Sequence, residues 1–302
     1  MTEATRNDEP WTIERVVRWA TDDFKGRGIE SPRLDAEVLL AHALGSTRIQ
    51  LIVDAKRPLT APELARFRET VKRRRSHEPV AYVLGEREFW GRTFRVDRRA
   101  LIPRPDTEVL VEVALRRTSQ LSMCTLALDL CAGTGCVAIS LAAARPTGFV
   151  FATDISRDAV SLSRENAARL GAYNLSVREG DLFAPLADAR HPWELGAPLR
   201  FDLITANPPY IATGEIAGLM SDVRDFEPRL ALDGGADGLE LMRRLVAEAP
   251  KHLAPGGVLA VEVGAGEAPD VRALFADAGF GDIELHRDYA RIERVVSGVL
   301  ST

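Results

Sequence analysis

Asn207-Pro208-Pro209-Tyr210 is the sharpest chemical feature in this sequence of 302 residues. Two consecutive prolines restrict the backbone and remove two N–H donors. Asn207 can therefore hold its side-chain carbonyl rigidly beside the free backbone carbonyl of Pro208. Both groups accept hydrogen bonds, so together they suit a planar –NH2 group with two donors. Tyr210 offers an aromatic face to that planar group. The plain alternative, a loop that proline merely stiffens, is outweighed by the motifs upstream.

The first of these is Asp129-Leu130-Cys131-Ala132-Gly133-Thr134-Gly135, a strand end, a glycine turn and the start of a helix. Gly133 and Gly135 permit positive φ and close approach of the backbone to a ligand. Alone, the pattern describes a tight strand–helix turn equally well. It lacks the Gly-Lys-Ser/Thr of a P-loop and the third glycine of the dinucleotide fingerprint. Asp154, nineteen residues beyond Gly135, ends the next strand, where a carboxylate can accept both hydroxyls of a ribose. Asp181, within Glu179-Gly180-Asp181-Leu182-Phe183, closes a third strand and can reach an adenine amino group. Three such points at successive strand ends outline one crevice at the carboxyl edge of a parallel sheet. They predict a nucleoside-containing cofactor.

The elements that must position these residues alternate in type. Short apolar strands are expected at 126–130, 149–154, 175–178, 201–206, 258–263, 283–285 and 294–300. Helices are expected at 137–144, 157–170, 239–253 and 271–278. The pattern predicts a mostly parallel, doubly wound sheet of the α/β class, with an antiparallel pair at one edge because only a short turn precedes the last strand. Residues 184–200 read as an exposed polar loop. Ahead of this, residues 11–78 read as helices. Trp11, Ile13, Val16, Val17 and Ala20 form one inward stripe, and Leu34, Val38, Leu39, Ala41, His42 and Leu44 another, stopped by Gly45. Thr60-Ala61-Pro62-Glu63 is a capping-box pattern. Phe89 to Val96 reads as two short strands about a glycine turn. Pro103 and Pro105 exclude helix between Leu101 and Asp106, and a helical stripe resumes from Thr107 to Arg117. The organisation expected is a helical domain over 1–80, a β-hairpin linker over 81–103 and an α/β domain over 104–302.

Composition sets outer bounds. Hydrophobic residues make up 46% and charged residues 27%, which excludes wholesale disorder and a disulfide mini-protein. The net charge of −5 argues against coating nucleic acid by charge alone. Residues 1–105 hold 21 Lys/Arg against 16 Asp/Glu, so any electrostatic docking belongs at the front end. The run Lys72-Arg73-Arg74-Arg75 reads first as a solvated helix end that complements the dipole, and second as a contact for RNA or an acidic partner. Cys124, Cys131 and Cys136 have no zinc spacing and read as reduced, buried thiols, with no metal site. His77, His191, His252 and His286 are scattered and read as solvated or structural. The polar N-terminus lacks the apolar region of a secretory signal, and no run reaches the ~20 apolar residues of a membrane span. A cytoplasmic protein is expected.

Asn207 to Tyr210, with the glycine loop and the two acids upstream, resembles the S-adenosylmethionine-dependent amino methyltransferases. Other segments narrow the likeness. Leu101-Ile102-Pro103-Arg104-Pro105-Asp106-Thr107-Glu108, Tyr82-Val83-Leu84-Gly85 and Phe89-Trp90-Gly91 resemble segments of the peptide chain release factor glutamine methyltransferases. So do Phe226-Glu227-Pro228-Arg229-Leu230-Ala231-Leu232 and Gly235-Ala236-Asp237-Gly238-Leu239. The resemblance spans roughly residues 30–300.

It implies an N-terminal helical bundle that recognises substrate, a β-hairpin linker and a Rossmann-like methyltransferase domain. It implies methylation of the side-chain amide of the glutamine in the Gly-Gly-Gln motif of translation release factors, with no direct nucleic-acid substrate, by a monomer. S-adenosylmethionine contacts fall on Cys131, Ala132, Gly133, Thr134, Gly135, Asp154, Asp181, Leu182 and Asn207. Substrate contacts fall on Asn207, Pro208, Pro209 and Tyr210, with Asn207, Pro208 and Tyr210 catalytic. Cys131-Ala132-Gly133 stands where many members have Gly-Thr-Gly, Glu267 where members often carry Gln, and Ala290-Arg291-Ile292-Glu293 in place of a glycine-containing turn. Alternatives are an adenine-specific DNA or RNA methyltransferase, glutamine methylation of a ribosomal protein, and a catalytically silent protein that binds a release factor or ribosome.

Overall fold

The computed structural model describes residues 10–121, 125–194 and 196–301. Cys124 and the polar residues 1–9, both part of the sequence reading, lie outside the described residues. The chain divides into two compact units, Met1–Gly85 and Glu86–Thr302. The segment 81–103, expected as a linker, divides between them. A short helix, Val80–Leu84, ends the first unit, and the hairpin opens the second.

The first unit contains α1 (Ile13–Gly26), α2 (Pro32–Leu44), α3 (Arg48–Val53), α4 (Ala61–Arg75) and α5 (Val80–Leu84). Ile13, Val16, Ala20 and Phe24 of α1 are buried at helical spacing and meet Leu39, Leu40, Phe67 and Val71 in one core. Thr60 and Glu63 form the expected capping box, and Gly45 ends α2 at φ 61°. Two expectations fail. Trp11 and Leu34 are 41% and 46% exposed rather than inward, and His42 is exposed as well, since Trp11 precedes the Thr12 cap and Leu34 and His42 fall on the outer side of α2. Helices α3 and α5 were not legible, because five or six residues show too little periodicity to read, and Ile49, Ile52 and Val53 of α3 face out.

The basic run is also corrected. Arg73 binds Glu78 and the carbonyls of Tyr82 and Val83, Arg74 binds Asp35 at 2.8 Å, and Arg75 binds Asp23 at 2.7 Å. Three of the four cations tie the bundle together and Arg74 is buried, while Lys72 and Arg73 stay exposed at the helix end, so the solvated reading holds for part of the run. Arg74 is 6% exposed, and a buried ion pair that loses one member leaves the other desolvated. Arg74→Ala is expected to lower the unfolding free energy by about 3 kcal/mol in a urea titration. A loss below about 1 kcal/mol would show that Asp35 does not depend on it.

The second unit begins with the hairpin, β1 (Glu86–Phe89) and β2 (Arg92–Arg95), turned through Trp90 and Gly91 at φ 51° and 67°. Two consecutive left-handed residues make the turn that suits the twist of paired strands. Then follow α6 (Glu108–Arg117), β3 (Leu126–Leu130), α7 (Cys136–Ala144), β4 (Phe149–Asp154), α8 (Arg157–Leu170), β5 (Leu175–Glu179), β6 (Phe201–Ala206), α9 (Ser221–Arg224), α10 (Glu240–Glu248), β7 (Leu253–Glu262), α11 (Ala268–Asp277), β8 (Phe280–Arg287) and β9 (Glu293–Leu300). The hairpin is fastened to α8, where Asn166 accepts from the Arg95 N–H at 2.8 Å and donates to its carbonyl at 3.0 Å.

Seven strands form one sheet in the order β5-β4-β3-β6-β7-β9-β8. The pairings from β5 to β7 are parallel, and β9 lies antiparallel between β7 and β8. The antiparallel pair is present as expected, but the last strand inserts and leaves β8 at the edge. Every residue of β3 is buried, as a strand covered by helices on both faces requires. The helix expected over 239–253 stops at Glu248, and a 3-10 turn carries Pro250, whose missing N–H cannot continue the helix. A second 3-10 turn, Pro105–Thr107, occupies the end of the segment expected to be non-helical. Within the expected polar loop, Leu186 is buried in the core. His252 stacks on Phe183 at 4.2 Å, and the buried His286 meets Ser297, so both are structural.

Candidate cofactor and amide-binding site

The strand order reverses between β3 and β6, and at that point neighbouring strand ends diverge and leave a crevice at the carboxyl edge. Register places the two motifs there. Leu130 pairs with Thr153 on one side and Ala206 on the other, and Ala206 pairs with Val261. The glycine loop, Asp154 and Asn207 therefore leave adjacent strands at nearly one level. A cavity of about 760 Å³ opens above them, and its walls include Cys131 to Thr134, Asp154, Asp181, Leu182, Asn207 and Pro209. That volume suits a cofactor together with a substrate group. Gly135, Pro208 and Tyr210 are not among the lining residues.

The glycine loop is built for close approach. Gly133 has φ 55°, and a Cβ there would meet nothing within 4 Å, so its Cα faces open space. Gly135 does different work. It starts α7 at φ 80°, and a Cβ would overlap Ser163 Oγ of α8. Having no side chain, Gly135 cannot cap α7. The buried Asp129 takes that part, accepting from the Ala138 N–H at 3.1 Å and from Thr205 Oγ1 at 2.8 Å. Burial pushes the Asp129 carboxyl up to about 7, against those hydrogen bonds. Cys131 and Leu182, at φ 57° and 46°, are non-glycine residues in the left-handed region, and both line the cavity. Backbone strain of this kind concentrates where the chain is shaped around a ligand. Cys131 and Cys136 are free thiols, and burial raises both.

Asp154 is anchored before any ligand arrives. Its Oδ2 accepts from the Gly133 N–H and its Oδ1 from the Ser156 N–H, both at 2.8 Å. Each carboxylate oxygen keeps a further lone pair, so the pair of oxygens still fits a diol. Burial raises its pKa, and the two N–H groups oppose that shift. Asp181 is differently engaged. Its Oδ2 pairs with Arg244, with both side chains partly exposed at the rim of the cavity.

Asn207 is half-buried, and its Nδ2 donates to Thr107 Oγ1 at 3.2 Å. Thr107 comes from the Leu101–Glu108 segment, so that segment and the Asn-Pro-Pro-Tyr turn form one site. Tyr210 sits behind the turn, where burial and the charge of Glu262 push its hydroxyl up to about 12. A second clasp closes the same side. Arg104 meets the buried Glu227 at 2.7 Å, and the Arg98 guanidinium lies 4.6 Å from the Phe226 ring centre. Gly234 and Gly238 bring segment 233–239 against the turn from below. A Cβ at Gly234 would fall 2.8 Å from the Pro209 carbonyl oxygen, and one at Gly238 would overlap that of Tyr210. Glu267, one of the departures noted above, caps the Gly264 N–H at 2.8 Å and borders Gly238.

Direct reading of the residues missed Thr107, Glu227 and Glu262. For Glu262 a signal existed, a lone acid at the end of the apolar run Val258–Val263. Thr107 and Glu227 stand in segments that carry the family likeness, but nothing local gives them a task, because their partners are a hundred residues away or more.

A parallel sheet reversed at β3/β6, with a glycine loop and an acid at neighbouring strand ends, defines a Rossmann-like methyltransferase domain. The family model described as "Methyltransferase domain" matches residues 124–276, and "PrmC N-terminal domain" matches residues 15–85. The release factor glutamine methyltransferase of Geobacter sulfurreducens is 44% identical, over 97% of this chain and 99% of its own. That of Vibrio cholerae serotype O1 is 40% identical, over 96% and 98%. The chain belongs to the release factor glutamine methyltransferase family. Among solved structures, the hMettl16 catalytic domain in complex with a MAT2A 3'UTR hairpin superposes with a TM-score of 0.55 at 13% identity, covering 80% of this chain and 83% of that one, a likeness of fold. Among the described residues, no helix is long and apolar enough to cross a membrane.

Proposed function

We propose that this protein transfers the methyl group of S-adenosylmethionine to the side-chain amide nitrogen of the glutamine in the Gly-Gly-Gln motif of a translation release factor. The observation that carries this reading is the disposition of Asn207. Its Nδ2 is engaged by Thr107, which leaves Oδ1 to accept from an incoming –NH2 group. The names of the relatives, which share nearly the whole length of the chain, support the same substrate.

S-adenosylmethionine supplies an activated methyl group when bound. The open face of Gly133 and the spare lone pairs of Asp154 fit its nucleoside, with Cys131 to Thr134, Asp181 and Leu182 around it. The chain's own task is alignment and polarisation. An amide nitrogen is a poor nucleophile because its lone pair is delocalised. A hydrogen bond from its N–H group to Asn207 Oδ1, the acceptor of the turn that lines the cavity, returns electron density to nitrogen and strengthens as positive charge develops there. Holding the nitrogen in line contributes up to roughly 7–11 kcal/mol. The proton released afterwards passes to solvent, because the turn carries no His or Lys.

Asp154→Ala is expected to weaken S-adenosylmethionine binding roughly 10- to 100-fold in titration calorimetry, as about 1.5–3 kcal/mol of charge-assisted hydrogen bonding is lost. Affinity within threefold of the parent would remove Asp154 from the ribose. The function itself is tested with labelled S-adenosylmethionine and a purified release factor, native or with Gln→Ala in its Gly-Gly-Gln motif. Label on the native factor alone is expected. Label on neither, with cofactor binding intact, overturns the substrate, and label on an oligonucleotide favours the adenine alternative.

A further inference from the structure

Asn166 of α8 engages its whole side-chain amide with two distant pieces of backbone. Its Oδ1 accepts from the Arg95 N–H at 2.8 Å, and its Nδ2 donates to the Arg95 and Thr134 carbonyls, each at 3.0 Å. A carboxamide carries two donors at one end and an acceptor at the other. Two carbonyls facing the nitrogen and an N–H facing the oxygen therefore fix which way round it lies. The residue is 0% exposed.

Both pieces of backbone lead into the cavity. Thr134 stands in the glycine loop, just ahead of α7. The Ile139 N–H goes to the Gly135 carbonyl, and the Ala138 N–H, which would reach Thr134 in a continuing helix, goes to Asp129 instead. The Thr134 carbonyl is thus left over from the helix in a buried residue, and Asn166 satisfies it. Three residues earlier, on the same face of α8, Ser163 lies against Gly135, where a Cβ would overlap its Oγ. Arg95 ends β2, and from there the chain runs into residues 99–104, which line the cavity, and on to Thr107, the partner of Asn207. Other contacts join this stretch to α8. Arg99 pairs with Glu165, Ala100 packs on Ala159 and Leu162, and Arg169 donates to the Thr93 carbonyl. Neither of those two polar contacts reaches the glycine loop, whereas Asn166 bonds both sides.

We infer that Asn166 is a positioning residue that holds the glycine loop and segment 95–107 in register, so that the cofactor and the amide-binding turn meet at a fixed separation. The inference rests on the methyl-transfer reading for the identity of the ligands, but not for the tie itself. Asn166 does not line the cavity and acts through Thr134 and Arg95. Few side chains fit this place. Aspartate would set a carboxylate against two carbonyl oxygens, and leucine, of similar shape, makes none of the three bonds.

The test compares, in the full chain, Asn166→Leu with Arg169→Ala, which removes a tie between β2 and α8 that does not reach the loop. Hydrogen exchange without ligand reads the tie directly. Asn166→Leu is expected to speed exchange of the Arg95 amide and of the Gly133 amide, the latter otherwise held by Asp154. Arg169→Ala should leave Gly133 as in the parent. Activity is then measured with labelled S-adenosylmethionine and release factor, well below the unfolding midpoints. Asn166→Leu should weaken S-adenosylmethionine binding about tenfold and lower kcat about 100-fold, the order of loss for a displacement near 1 Å at the reacting centre. Arg169→Ala should stay within about threefold of the parent in both. A lower melting temperature with parental affinity and kcat would make Asn166 structural only and overturn the inference, as would unchanged Gly133 exchange in Asn166→Leu. If Asn166→Leu does not fold, the parent decides. S-adenosylhomocysteine, bound at the loop, should slow exchange of the Arg95 amide at least about fivefold in the parent and in Arg169→Ala. No change at Arg95 overturns the tie. A parent that binds no S-adenosylmethionine, while Asn166→Leu frees both amides and Arg169→Ala spares Gly133, upholds the tie and overturns only the methyl-donor reading.

Discussion

An Asn207→Ala protein is expected to lose about 10²–10³ in kcat for methyl transfer while S-adenosylmethionine binding is retained in part. The methyl side chain of alanine cannot accept from the substrate –NH2, so the acceptor that lines the cavity disappears and the nitrogen is neither aligned nor polarised. The loss falls on kcat because the bond to Asn207 Oδ1 gains most of its strength as charge develops on the nitrogen. Cofactor affinity survives because Asp154 and the glycine loop hang from β4 and β3, and their mutual bonds do not pass through Asn207. Truncation also takes from the buried Thr107 the amide that bonds it, so thermal unfolding should be measured alongside. Turnover by Asn207→Ala at the parent rate, with a folded protein, would dismiss the role given to this residue.

The second large effect is expected at a position that touches no substrate. Gly238→Ala should lower kcat about 100-fold, the order of loss for a displacement near 1 Å at a reacting centre. Gly238 lies at φ 81°, where an alanine is strained, and its Cβ would overlap the Tyr210 carbonyl oxygen and sit 2.9 Å from Glu267 Oε1. The carboxylate of Glu267 can swing away. The backbone of Tyr210 cannot, because the next residue, Ile211, is held by Leu232 and Gly234 at 3.0 and 2.8 Å. Strain therefore passes into the Asn-Pro-Pro-Tyr turn. The comparison that isolates this route is Gly256→Ala, another positive-φ glycine, whose Cβ would meet nothing within 4 Å. It should cost some stability and leave kcat intact. Equal activity in the two variants would show that segment 233–239 does not set the turn.

The two positions differ in how legible they are. Asn207 stands out locally, between an apolar strand and two prolines, and its acceptor chemistry follows from residue type. Gly238 belongs to a run that carries the family likeness but has no task until its neighbours in space are known. Only the packed structure brings that run under Tyr210. The same contrast holds in the helical unit. The capping box at Thr60 and the stop at Gly45 were readable because caps act within four residues. The arginines of the basic run were misread because Asp23 and Asp35 lie about fifty and forty residues upstream of Arg75 and Arg74.

Alternation of short apolar strands with helices determined the sheet, and residue types at three strand ends determined that a nucleoside and an –NH2 group are the ligands to expect. Those signals sit in stretches of a few residues, where backbone preference and hydrophobic spacing act directly. The position of β9 inside the sheet, the pairing of Arg104 with Glu227 and the inward turn of the Asn207 nitrogen were decided by tertiary structure alone. Each depends on which distant group is near enough to accept or donate. For Asn207 the partner of the amide nitrogen is Thr107, a hundred residues earlier in the chain.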